Sequence, residues 1–475
     1  MTLTSPRTAA ARVRLPRQDD VKTAVRWSLR QGIPLAGMKL GARRGDLFAQ
    51  LNADPATQRD PFPFYDRVRT SGPLVPGGYV MATARHDVVF ELLRSDQFRS
   101  GIPDEALPRT ARRVLTWAED PLAIPFTERP SMVVHNGADH LRIRRIASRA
   151  FTAKAIENLR TRTEQIADDL LDDIERRHHD GRVVDIVAEY ASTLPVLVIA
   201  DILGIPAELQ PTFLRWGDCI LQIASFGVPY RTFLEIEGGL REMNSWLLGH
   251  FEELRRNPGD NLLSKMVQAS DDEHASGGGL SERELMQTAG LLLFAGFETT
   301  VNLIGSGTTR LLAHHDQWEI LRAEPEHWRK TAIDEMLRLD GPVQFTVRSP
   351  AQDTEIHGVP VRRGRMVALL LAGANRDPAV FADPARFDVT RANARDHVAL
   401  GAGVHFCLGA SLARMEGEVA LGRLFDRFPN LAAAGAPTLG PNAALRGYIH
   451  VPATLSKAYA GSSFGGFSGG GAPRG

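Results

Sequence analysis

The chain of 475 residues has only two cysteines, Cys219 and Cys407. They stand far apart and in no paired spacing. That excludes a disulfide framework and makes a reducing, cytoplasmic setting the simpler one. An excess of charge is also missing: Lys+Arg and Asp+Glu number 56 each, so net charge points to no nucleic-acid or membrane partner. Long apolar runs are absent. The longest, near Leu194–Ile205 and Gly290–Phe297, are too short or are broken by Asp201 and Gly204, so no membrane span is expected. The opening MTLTSPRTAAARVRLPRQDD lacks the apolar stretch of a secretory signal, and Asp19 and Asp20 argue against a transit peptide. No internal repeat is found.

What is present is ordinary globular composition, 43% hydrophobic and 24% charged, enough for a large core. Residues 1–45 read as a partly disordered N-terminal extension and 46–457 as a single domain. Residues 458–475, ending GSSFGGFSGGGAPRG, read as a disordered tail. Apolar residues at helical spacing predict helices over Ala153–Arg177 and Thr232–Arg256, with a polar loop at 270–279. Ser281 and Glu284 form a capping box for a long helix running to about His314. Its stretch Gly290–Phe297 is apolar all round, which places that helix at the centre of the molecule. Strand signals cluster late, around His357-Gly358 and Arg363-Gly364 within Thr354–Ala372, and again at Tyr448–Leu455. The fold class is therefore mainly α with a minor β region.

Cys407 sits in Leu400-Gly-Ala-Gly-Val-His-Phe-Cys-Leu-Gly409, just before an amphipathic helix. A helix N-terminus favours a thiolate. Gly401, Gly403 and Gly409 leave room for a flat ligand to approach the backbone. Three plainer readings stand beside that one. A lone Cys is often a buried small hydrophobe, which is the default for Cys219. A zinc site needs more ligands than the nearby His405. A Cys–His nucleophile needs a partner that the sequence does not assign.

The spacing Gly401-x-Gly403-x-His405-x-Cys407-x-Gly409 resembles the haem-binding loop of the cytochrome P450 family. The resemblance covers about residues 50–455. It implies the family's mainly α fold, with haem b between the long central helix and the Cys-loop helix. Cys407 is then the axial ligand of the haem iron, and His405 meets a propionate. Leu400 departs from the pattern, because the family has Phe there, and this leaves the redox tuning open.

Other segments follow in the family's order. Ala295-Gly296-Phe297-Glu298-Thr299-Thr300 resembles its oxygen-activating segment. The small residues Ala295 and Gly296 make room for O2, and the acid Glu298 and alcohol Thr299 relay protons. A Thr bonded back to its own helix is the plainer reading. Glu335 and Arg338, at i and i+3, resemble a structural pair joined by Arg386. His140 and Arg144 lie on one helix face and, with Arg348, match propionate partners. Arg142, Arg145 and Arg149 lie roughly opposite and suggest docking of an acidic electron donor.

The resemblance implies a monooxygenase that uses O2 and hydroxylates or epoxidises an apolar small molecule such as a steroid, fatty acyl chain or polyketide. Electrons come from NAD(P)H through a ferredoxin reductase and a ferredoxin. By analogy the pocket takes in Phe294, Val343, Gln344, Phe345 and Ile449-His450-Val451, beneath a mobile lid from 100–133 and 219–232. The rivals are a peroxide-driven enzyme on the same scaffold and a haem-thiolate binding protein without turnover.

Overall fold

The computed structural model describes residues 18–455, except 79, 104–106, 150, 152, 179–180, 222–226 and 275–277. The first 17 residues and the Gly/Ser-rich tail, both expected to be disordered, lie outside the described residues.

The amphipathic stretch from residue 153 forms helix Ala153–Arg177, with the expected bounds. The next expected helix begins two residues early and spans Tyr230–Arg256. The polar run at 270–279 differs from expectation, because helix Leu262–His274 continues into it. Ser270 is the reason: it is buried, and its hydroxyl bonds both the amide and the carbonyl of Leu280. Ser281 and Glu284 make the reciprocal capping box. The helix it starts, Glu282–Ala313, is long and apolar enough to cross a membrane, yet 67% of its most apolar window is buried within the protein. It threads the largest hydrophobic cluster, packed by Leu194–Leu203, Pro325–Asp340 and Ala410–Arg427.

The β region is small and joins distant segments. Val80–Thr83 pairs in parallel with Met366–Leu369, which pairs antiparallel with Thr346–Pro350, itself antiparallel to Phe98–Ser100. Ser100 stands opposite Arg348 in that register. Thr354–Ile356 and Val359–Val361 form a hairpin turning at His357-Gly358. Both turn residues have positive φ, 47° and 81°, as a two-residue type I′ turn requires.

The described part of the N-terminal extension is helical. Gln18–Trp27, a π-helical turn Ser28–Gly32 and Ile33–Arg43 follow one another as nearly continuous helix. Burial of one face orders it. Arg26 is 3% exposed; it donates to both Glu237 oxygens at 2.5 and 2.6 Å, and to the Ala118 carbonyl. The Trp27 indole donates to the Val228 carbonyl at 2.9 Å, and Gln31 accepts from the Gly227 amide at 2.8 Å. Arg30 pairs with Glu128 at 2.6 Å. The extension therefore straps both segments expected to form the lid.

Candidate active site

Cys407 stands three residues before helix Ala410–Arg427. Its amide donates to the Leu400 carbonyl at 2.9 Å, closing the loop. Gly401 and Gly403 have φ of 72° and 68°. A Cβ on Gly403 would lie 2.8 Å from the Leu93 carbonyl oxygen. These two glycines serve the turn and its packing. Gly409 is different: nothing lies within 4 Å of where its Cβ would be, so it alone of the three borders open space. Burial pushes the Cys407 thiol up, against the Gly409 amide and the charges of Arg144 and Arg414. The side chain of Cys219 lies outside the described residues.

Beside the loop is a cluster of basic groups. Arg348 is 4% exposed and bonds only Ser100, Thr346 and the Val347 carbonyl, with no carboxylate partner among the described residues. Burial brings its guanidinium down to about 10. Burial also drives His405 down to about 3, helped by His140, Arg348 and Arg144. Arg144 donates to the Phe406 carbonyl at 2.8 Å. A buried Arg348 and a half-buried Arg144 with no acid partner among the described residues, beside the neutral His405, fit a dianionic guest such as the two propionates of a haem. Among the described residues no three His, Cys, Asp or Glu side chains converge, so a metal at Cys407 needs ligands from its own prosthetic group. His140 is placed differently from expectation. Its ring nitrogens each lie 3.0 Å from a carbonyl, of Met132 and of Val404, and its ring packs 4.1 Å from that of His405. A neutral imidazole can donate to only one of these carbonyls, and the ring braces the loop by that bond and by packing.

The central helix packs against the helix that follows Cys407. Ala295 is exposed in the middle of the otherwise buried central helix, with Phe294, Glu298 and Thr299 half-buried. An uncovered spot therefore interrupts its packing at Ala295. Gly296 does not face it: a Cβ there would meet Ile199 at 3.2 Å, so its small size lets two helices close. The Thr299 hydroxyl donates to the Ala295 carbonyl at 2.6 Å, the back-bond that a helical Thr favours. Glu298 accepts from Asn302 at 3.2 Å. The expected relay residues are adjacent, and each bonds within its own helix.

Sequence reasoning missed Glu416. It is fully buried on the Cys-loop helix and accepts from the Thr300 hydroxyl at 3.0 Å. Burial pushes it up to about 8, against that bond. The signal was available: Glu416 shares the apolar stripe of Leu412, Met415, Val419 and Ala420.

Two other expectations need correction. Arg338 forms the expected buried pair with Glu335, at 2.6 and 2.8 Å. The third member is Arg391, which donates to Glu335 at 3.1 Å, and not Arg386. Arg386 is exposed and offers only its carbonyl, because Phe387 beside it turns into the core. The stripe Arg142, Arg145, Arg149 is already paired: Arg142 with Glu284, Arg145 and Arg149 with Glu273. Its steering charge is thereby reduced. In the expected pocket wall, Gln344 is buried and accepts from the Tyr65 hydroxyl, while Phe345 packs edge-on against Phe48 in the sheet-side cluster. His450 pairs with Asp185 at the surface.

A sequence profile of the family described as Cytochrome P450 matches residues 241–435. The chain is 43% identical over 440 residues to "Putative cytochrome P450 140" of Mycobacterium tuberculosis, covering 92% of this chain and 99% of that one. It is 37% identical over 406 residues to the vitamin D(3) 25-hydroxylase of Pseudonocardia autotrophica, covering 84% and 94%. Among solved structures it resembles P450BioI in complex with hexadec-9Z-enoic acid ligated acyl carrier protein. The TM-score is 0.75 at 29% identity, over 85% of this chain and all of that one. The chain belongs to the cytochrome P450 family, monooxygenases that use haem iron, O2 and reducing equivalents from redox partners.

Proposed function

We propose that Cys407 is the axial ligand of a haem b iron and that the enzyme hydroxylates or epoxidises an apolar substrate in the cleft beneath Ala295. Bound there, the haem supplies O2 activation and the insertion of one oxygen atom into substrate. The acid-free cluster of Arg144, Arg348 and His405 beside Cys407 carries this reading. These three would receive the propionates, while His140 holds the loop through Val404. Thr299, its own proton held by the Ala295 carbonyl, keeps its lone pairs for orienting a proton donor in the cleft. Glu298, adjacent to it, supplies the exchangeable proton.

Residues 46–457 would form one cytochrome P450 domain. The substrate is a steroid, a fatty acyl chain or a polyketide. The relatives' names support all three: one is a vitamin D(3) 25-hydroxylase, one structure holds a fatty acid on a carrier protein, and one relative is a polyketide biosynthesis cytochrome P450. Electrons arrive from NAD(P)H through a ferredoxin reductase and a ferredoxin, in the cytoplasm.

The test is a titration of the purified protein with a panel of these compounds, followed by the Soret band, then turnover with ferredoxin, ferredoxin reductase and NADPH. A band shift and an oxygenated product are expected. Shifts without product favour the binding-protein reading. Cys407→Ser should abolish the thiolate-type spectrum, and an unchanged spectrum would remove Cys407 as ligand. Thr299→Ala should release hydrogen peroxide at the expense of product. Full coupling in that variant would remove the relay assignment of Thr299.

A further inference from the structure

Charge is balanced over the whole chain but not along it. The first 45 residues hold ten Lys and Arg against two Asp and Glu, while the remainder holds 46 against 54. Such asymmetry points to an anionic partner for the basic end. Two of these cations, Arg26 and Arg30, turn inward onto Glu237 and Glu128. Lys39, Arg43 and Arg44 make no ion pair among the described residues.

The outward face of the same helix is apolar. Val21, Val25, Leu29, Ile33, Ala36 and Leu40 are spaced by three or four residues and share one side. A strict spacing of four would drift around an α-helix. The wider π-helical turn Ser28–Gly32 takes up that drift and keeps the stripe straight. Ile33 is 63% exposed, Leu40 48% and Val21 40%. Helix Arg109–Ala118 extends the patch with Val114 and Trp117, 41% and 49% exposed, and Lys22 lies over the Trp117 ring. Val114 and Tyr230 join Val21, Val25 and Leu29 around one open groove.

We infer that this face lies on an anionic lipid bilayer. An exposed aliphatic stripe, a Trp at its edge and flanking cations without partners are the features of a helix that rests in the interface and does not span it. The opposite face of the helix grips Glu128, Gly227, Val228 and Glu237. Bilayer contact therefore sets the lid segments beside the lipid, where an apolar substrate dissolves. Only that last consequence rests on the monooxygenase reading; the docking rests on exposure and charge.

The test uses the full-length haem-loaded protein and vesicles of phosphatidylcholine, with or without an equal share of phosphatidylglycerol. The protein should float with the anionic vesicles at low salt, and more weakly at high salt or on pure phosphatidylcholine. Ile33→Ser with Leu40→Ser, and separately Lys39→Glu with Arg43→Glu, should each lower partitioning by about tenfold or more. Melting temperature and haem spectrum should stay unchanged in both. If the first pair melts early, the charge reversal decides alone. Failure of the wild type to float with anionic vesicles at low salt overturns the inference, as does equal flotation of the charge-reversed variant. Retention of an acidic protein by these residues without vesicle binding would assign the face to a protein partner and also overturn it.

Discussion

Thr300 on the central helix donates a hydrogen bond to Glu416 on the helix after Cys407, at 3.0 Å, with both residues buried. The bond ties together the two helices between which haem is proposed to sit. Burial, only partly offset by the Thr300 bond, pushes Glu416 up to about 8, so at neutral pH it is mostly protonated. A neutral acid there satisfies its neighbours without the cost of an unpaired buried charge.

The linkage has a definite sign. The folded value, about 8, lies above the ordinary value of 4.5. The resulting stabilisation is full below about pH 4.5 and is lost as pH rises through about 8. Glu416→Gln removes the titration and keeps the shape. Denaturant unfolding of both proteins at pH 5, 7 and 9 should show the wild type losing on the order of a few kcal/mol relative to the variant. A pH-independent difference would mean that Glu416 is not a buried titrating acid.

Arg391 and Arg386 form a second contrast. Arg391→Ala removes a nearly buried partner from Glu335 and should cost about 3–5 kcal/mol, if the loss resembles other broken buried pairs. Arg386→Ala changes only an exposed side chain, since its carbonyl still accepts from Arg338, and should stay within about 0.5 kcal/mol. Comparable melting shifts in the two variants would sink the reassignment.

That contrast also shows what the sequence makes legible. Helix periods and the capping box gave the bounds of Ala153–Arg177 and the start of Glu282–Ala313, because those signals are local. Val80–Thr83 is buried at every position, so no alternation marks it, and its partner Met366–Leu369 lies far along the chain. The Cys407 loop was readable from spacing. Whether Gly296 faces the cleft or Ile199, and whether Arg386 or Arg391 turns inward, depends on three-dimensional packing that spacing does not encode.

Arg348 should separate the protein's own stability from haem retention. A buried guanidinium without an acid is a cost to the apoprotein, so Arg348→Met should leave apoprotein stability equal or higher. If Arg348 receives a propionate, the same change should speed haem loss to an excess of a haem-scavenging protein. Unfolding of the apoprotein and the rate of haem transfer measure the two effects. Unchanged transfer with a stabilised apoprotein would detach Arg348 from the cofactor.

The last prediction concerns the strap. Arg26 and Glu237 are 3% and 2% exposed at their side chains, and Arg241 also reaches Glu237, at 2.8 Å. Arg26→Met leaves Glu237 with one partner fewer and breaks the bond to the Ala118 carbonyl. Amide hydrogen exchange should rise around residues 118–128 and 227–237, and substrate association should become faster if these segments cover the entrance. The double change Arg26→Met with Glu237→Met removes the buried charge from both sides. Apolar replacement of a buried ion pair is often neutral or stabilising, so protection at 227–237 should return, even though the salt bridge is gone. Protection that stays low in the double variant would show that the strap depends on the Arg26 hydrogen bonds and not on packing. Exchange that never changes in Arg26→Met would show that the extension does not hold the lid.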